Sequence, residues 1–214
     1  MKPLKIFLAD LTYDTITLST DVFPLNIGYI ASYCKKLFGN DVEITLFKYI
    51  EEIDNAVNEN PPDILAMSNY AWCHRIGREI SKIFSKLNPN GIIVWGGPNF
   101  PLDLPSQENF FRNNSIIDIY VPVEGEIGFA NVVKKALEVR SKGEFRNRML
   151  EEPIDGCITR LKNGKLQYST SPIRTKQLDD IPSPYTSGLL DEFFDGKLSP
   201  MIQTNRGCPF SCTF

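Results

Sequence analysis

Apolar and polar positions along this chain alternate between two rhythms. Short apolar runs at residues 4–9, 42–47, 64–68, 92–95 and 117–121 read as strands. Between them, residues 25–38, 51–58, 75–87, 105–111 and 127–141 are amphipathic stretches that read as helices. In the first of these, Ile27, Ile30, Ala31, Cys34 and Leu37 recur at helical spacing. Gly39-Asn40 and Asn88-Pro89-Asn90 supply helix stops. Strands that alternate with helices predict βαβ units and a parallel sheet covered on both faces. Right-handed crossovers then leave chiefly doubly wound topologies. The expected fold class is therefore α/β, a five-stranded parallel sheet of flavodoxin-like or Rossmann-like form.

The rhythm changes near residue 143. Residues 156–170 read as a hairpin, with Asn163-Gly164 as the turn between two short strands at 157–161 and 165–169. Residues 171–184 are rich in proline, aspartate and serine and read as a surface linker. A short helix is expected at 189–194, and 200–204 looks like the first strand of a further domain. The expected organisation is a doubly wound domain over 1–143, a hairpin and linker over 144–199, and the start of a second domain over 200–214.

Composition narrows the function classes. A formal net charge of −3 leaves no basic footprint for nucleic acid or an anionic membrane surface. No window approaches the roughly 18 uninterrupted apolar residues of a membrane span, and the N-terminal apolar run reaches Asp10 too soon for a signal peptide. Five cysteines, three of them scattered at Cys34, Cys73 and Cys157, argue against a disulfide framework and for a reducing, cytoplasmic setting. Those three read as small buried apolar residues.

In an open parallel sheet, ligands sit beyond the carboxyl ends of the strands. The residues there are Asp10-Leu-Thr12, Ser68-Asn-Tyr70, Gly96-Gly97-Pro98 and Glu124-Gly125-Glu126. Gly96 and Gly97 lack the Cβ that would hold a bulky ligand away from the backbone, and Ser68 offers a small hydroxyl that both donates and accepts. Strand-to-helix turns favour the same residue types without any ligand. Tyr70 and Trp72 lie near this face as flat apolar surfaces, and Tyr29 suits core packing equally well. Glu124 and Glu126 suit a helix N-terminus electrostatically. His74 reads as a partly exposed helix-end residue.

The last residues, Cys208-Pro-Phe-Ser-Cys212-Thr-Phe214 after Thr204-Asn-Arg-Gly207, carry the sharpest signal. Thiolates at this spacing suit an iron–sulfur cluster, with a zinc half-site or two incidental cysteines as the alternatives. The segment resembles the opening of a radical S-adenosylmethionine (SAM) barrel, whose three-cysteine loop holds a [4Fe–4S] cluster. The chain stops just before the third cysteine would fall. Phe23-Pro-Leu-Asn-Ile-Gly-Tyr-Ile-Ala-Ser-Tyr33, Val94-Trp-Gly-Gly-Pro98, Val123-Glu-Gly-Glu126 and Leu178-Asp-Asp-Ile-Pro182 resemble, in order, segments of the cobalamin-binding domain that precedes such barrels and of the connector after it.

The resemblance implies a radical SAM enzyme that binds cobalamin, a [4Fe–4S] cluster and SAM, most simply a methyltransferase acting on an unactivated carbon. An adenosyl radical would abstract hydrogen and methylcobalamin would supply the methyl group. Cys208 and Cys212 would be cluster ligands, with Phe214 near the adenine. Ser68, Tyr70, Gly96 and Gly97 would seat cobalamin, with Thr12 under the cobalt. Many cobalamin domains place histidine where Thr12 stands, so base-off cobalamin with no histidine on cobalt is expected. A cyclase or rearrangement enzyme of the same superfamily, or a stand-alone binding or docking module, are the other readings. The substrate, a small molecule or a peptide, is not legible.

Overall fold

The computed structural model describes residues 2–14, 20–122, 124–169 and 177–206. Strand β1 (Leu4–Thr12) is followed by α1 (Leu25–Phe38), β2 (Val42–Tyr49), α2 (Ile50–Glu59), β3 (Ile64–Ser68), α3 (His74–Leu87), β4 (Ile92–Gly96), α4 (Leu104–Asn113), β5 (Ile119–Val121) and α5 (Gly125–Val139). A short helix α6 (Phe145–Met149) and the strands β6 (Ile158–Arg160) and β7 (Leu166–Tyr168) complete the regular elements. The strands form one sheet in the order β2-β1-β3-β4-β5-β6-β7. The first five pair in parallel, and β6 and β7 are antiparallel.

Period-two alternation within the strands sorts their side chains onto two faces. Ile6, Leu8, Ala66, Val94 and Val121 belong to a buried cluster shared with α1 and α5. Phe7, Ala9, Met67, Trp95 and Tyr120 belong to a second cluster shared with α2, α3 and α4. Both faces are covered, which is why the strands are apolar at nearly every position. The strand order reverses between β1 and β3, the switch point of a doubly wound sheet.

Three expectations need correction. The sheet has seven strands, because the 156–170 hairpin does not stand apart. Its first strand pairs with β5, with Thr159 opposite Ile119 and Ile158 opposite Tyr120. Without it, the outer edge of β5 would present unpaired backbone groups. The segment 200–204 is not a strand: it lies outside any helix or strand, and Ile202 is 80% exposed. The Tyr185 hydroxyl stands in for a ladder at its start, accepting from the Met201 N–H at 3.1 Å and donating to the Met201 carbonyl at 2.7 Å. The helix expected at 189–194 is a single 3-10 turn, Asp191–Phe193.

The linker is packed against the domain it leaves. Phe23, almost fully buried, meets the rings of Tyr185, Phe193 and Phe194 at 4.8–6.3 Å. Backbone bonds join the two stretches, Phe23 N–H to the Ser199 carbonyl at 3.0 Å and Ser199 N–H to the Asp21 carbonyl at 2.6 Å. This docking carries residues 201–206 to the carboxyl ends of the central strands.

Candidate functional site

A cavity of about 750 Å³ opens beyond the carboxyl ends of the central strands, beside the switch point. Leu8, Ala66 and Val94 give it an apolar floor, and the first turns of α1 and α5 also line it. Residues 201–206 line it as well. Ser68, Tyr70, Gly96 and Gly97 all line this one cavity. Thr12 does not line it: it is fully buried, and its Oγ1 accepts from the Thr20 N–H at 3.0 Å. Cys208, Cys212 and Phe214 lie outside the described residues.

The polar face is organised by Asn26, two residues past Pro24 in the first turn of α1. Its Nδ2 donates to Ser68 Oγ at 3.1 Å and, more weakly, to the Tyr70 hydroxyl at 3.4 Å. Burial raises the Tyr70 phenol above its ordinary pKa, with the Asp10 charge adding to the effect. The Tyr70 ring stacks on Trp72, centroids 4.6 Å apart and nearly parallel. Beside this group Asp10 is buried in an ion pair with Lys48 at 3.4 Å, and Lys48 Nζ donates to Thr20 Oγ1 at 3.0 Å. Burial pushes the Asp10 carboxyl up, and Lys48 pulls it partly back.

The two glycines at the end of β4 and just after it serve different ends. Gly97 has φ +127°, and a Cβ there would sit 2.8 Å from the Asn69 carbonyl oxygen. Its missing side chain lets the turns after β3 and β4 touch, with Asn69 N–H bonded to the Gly96 carbonyl at 2.6 Å. A Cβ on Gly96 would meet Val121 O at 3.1 Å, a milder approach.

At the α5 wall, Arg206 forms a two-pronged ion pair with the carboxylate of Glu126, one prong at 3.0 Å. Its guanidinium also lies over the Tyr29 ring, 5.5 Å from the centroid. Glu126, expected only to favour the helix end, thus holds a residue eighty positions away. His74 faces a separate, smaller cavity between the turn after β4 and α4. Its Nδ1 is 2.9 Å from Asn69 Oδ1 and its ring meets the edge of Trp95. Burial lowers its pKa.

Sequence reasoning missed Asn26, the Asp10–Lys48 pair and the Glu126–Arg206 pair. Only Asn26 carried a local signal, a polar side chain at the start of an otherwise apolar helical face.

No protein-family model matches the chain. It is 27% identical over 207 residues to the cobalamin-dependent radical SAM methyltransferase TokK of Streptomyces tokunonensis. It is 26% identical over 207 residues to a 2-(S-pantetheinyl)-carbapenam-3-carboxylate methyltransferase of Streptantibioticus cattleyicolor. Each match covers 89% of this chain, and the chain spans 28% of the length of these two relatives. Among solved structures, the cobalamin-dependent SAM radical enzyme OxsB with aqua-cobalamin and SAM bound matches 98% of this chain and 28% of its own. The TM-score is 0.65 at 18% identity, a likeness of fold. The resemblance to cobalamin-dependent radical SAM enzymes, read from scattered turns and the cysteine tail, thus extends along nearly the whole chain.

Proposed function

We propose that this chain is the cobalamin-binding portion of a radical SAM enzyme, most simply a methyltransferase acting on an unactivated carbon. The observation that carries the reading is the cavity at the switch point, which the segment leading into the cysteine tail also lines. Its residues suit the cofactor. The apolar floor of Leu8, Ala66 and Val94 accepts a flat macrocycle, while Asn26, Ser68 and Tyr70 can meet its peripheral amides. Among the described residues no histidine lines the cavity, so none of them would sit on the cobalt as an imidazole ligand. The names of the relatives favour methyl transfer over ring formation.

In this account each part of the chain has a limited task. Asn26 orients the Ser68 hydroxyl and the Tyr70 phenol toward the ligand face, and the apolar floor excludes water from beneath it. Tyr70 stays protonated at neutral pH, so it acts as a hydrogen-bond donor. Cys208 and Cys212 would ligate iron, and Phe214 would lie beside the adenine of SAM. Bound cobalamin would supply the transferable methyl group; the protein contributes its orientation and shielding.

The test is a visible-absorption titration of the 214-residue chain with methylcobalamin, followed by desalting. Retained cofactor with a base-off spectrum is the expected result. Elution of all the cofactor apart from the protein would overturn the proposal.

A further inference from the structure

We infer that Glu126 is a positioning residue for the cysteine tail and works through Arg206. The functional sense of this inference rests on the cobalamin and radical SAM reading above; the contact itself does not.

Among the described residues, 201–206 have no strand partner, so something else must fix their course along the cavity wall. Among the described contacts they are held at the two ends. The Tyr185 hydroxyl engages both backbone groups of Met201, and Arg206 is clamped by Glu126 and Tyr29. Between these points Gln203, Thr204 and Asn205 are exposed and bond only locally.

The clamp is directional. Glu126 stands in the first turn of α5 with its side chain only 5% exposed, and the Arg206 side chain is 21% exposed. A guanidinium engages a carboxylate through a rigid planar fork, which sets orientation as well as distance. Such a pair is a modest stabiliser compared with apolar packing, but a sound device for register. Because Cys208 follows Arg206 by two residues, the clamp sets the point from which the cysteine tail departs. Glu126 also lines the cavity, so one carboxylate ties the proposed cobalamin seat to the start of the proposed cluster loop.

Trypsin provides a direct readout, because it must take the Arg206 side chain into its own pocket to cut the Arg206–Gly207 bond. Glu126→Gln should speed that cut roughly ten- to a hundred-fold, the range expected for losing a charged hydrogen-bonded pair that gates local opening. Cleavage after Lys197 and the global unfolding midpoint serve as internal controls. Glu126→Asp, which keeps the charge, should lie between wild type and Glu126→Gln. If Glu126→Gln fails to fold, Arg206→Lys keeps the cleavage site, loses the fork and should also be cut faster. Equal cutting rates at residue 206 in wild type and the folded variants would overturn the inference. Methylcobalamin retention, measured in parallel, separates the two claims. Retention with an unchanged cut leaves the cobalamin reading and removes the clamp. An accelerated cut without retention leaves the clamp and removes its cofactor context.

Discussion

Replacing Gly97 by alanine isolates the turn that frames the cavity from the cavity itself. The new Cβ would stand 2.8 Å from the oxygen and 3.0 Å from the nitrogen of Asn69, both backbone atoms that cannot swing aside as a side chain can. The backbone there, at φ +127°, is one that residues with a Cβ rarely adopt. Holding alanine in such a region costs about 1–3 kcal/mol. Moving Asn69 also strains its N–H bond to the Gly96 carbonyl and the bond from Asn99 N–H to its own carbonyl, at 2.6 and 3.1 Å. Each bond is worth about 1 kcal/mol net. Unfolding free energy should therefore fall by about 2–5 kcal/mol. Urea denaturation followed by circular dichroism measures the loss. Gly96→Ala is the matched control: its Cβ meets a single backbone atom, Val121 O, at 3.1 Å and without a positive φ, so its loss should be smaller than that of Gly97→Ala. A Gly97→Ala protein within 0.5 kcal/mol of wild type, by roughly the resolution of such measurements, would refute the assignment of Gly97 to contact between the two turns.

Other perturbations follow from the same geometry. Lys48→Met leaves the Asp10 carboxylate buried without its cation and should cost about 3–5 kcal/mol at neutral pH. Asp10 already titrates above its ordinary value in the folded state, so its contribution to stability declines as pH rises through that range. The Lys48→Met loss should accordingly shrink on acidification, and an equal loss at every pH would contradict this. His74, the only histidine, should show an imidazole NMR midpoint below about 6.5, because burial disfavours its charged form. The unfolded chain then takes up the proton first, and His74 weakens the fold as pH drops from the ordinary histidine value to the depressed one. A midpoint at or above the ordinary value would contradict the burial assigned to it.

The parallel core was legible because its rules are local. Runs such as 64–68 and 92–95 are apolar throughout, and the intervening stretches repeat at helical spacing, so β3, β4 and their helices fall where the pattern places them. The Asn163-Gly164 turn was equally local, and Gly164 has the positive φ such a turn demands, +81°. Which sheet the hairpin joins was not local, since pairing of Thr159 with Ile119 spans forty residues. Residues 200–204 misled for the same reason: Met201 and Ile202 suit a strand, but a strand needs a neighbour, and here Tyr185 takes that place. Ser68, Tyr70, Gly96 and Gly97, picked out for their position at strand ends, line one cavity because that position is itself a local property. Thr12 lies outside that cavity, because β1 runs on to Thr12 and buries its hydroxyl against Thr20. The Glu126–Arg206 pair left no trace in spacing or composition.

The central claim is that the cavity beyond the carboxyl ends of the central strands seats cobalamin. The measurement that tests it most directly is a gel-filtration comparison of methylcobalamin retention by wild type and Ser68→Trp. Ser68 lines the cavity at the end of β3, outside both buried clusters, so an indole there fills the proposed seat and leaves the fold intact. The account predicts cofactor co-eluting with the wild type and lost from the variant, both with the same circular dichroism spectrum. Equal retention by the two proteins, or none by the wild type, would contradict it.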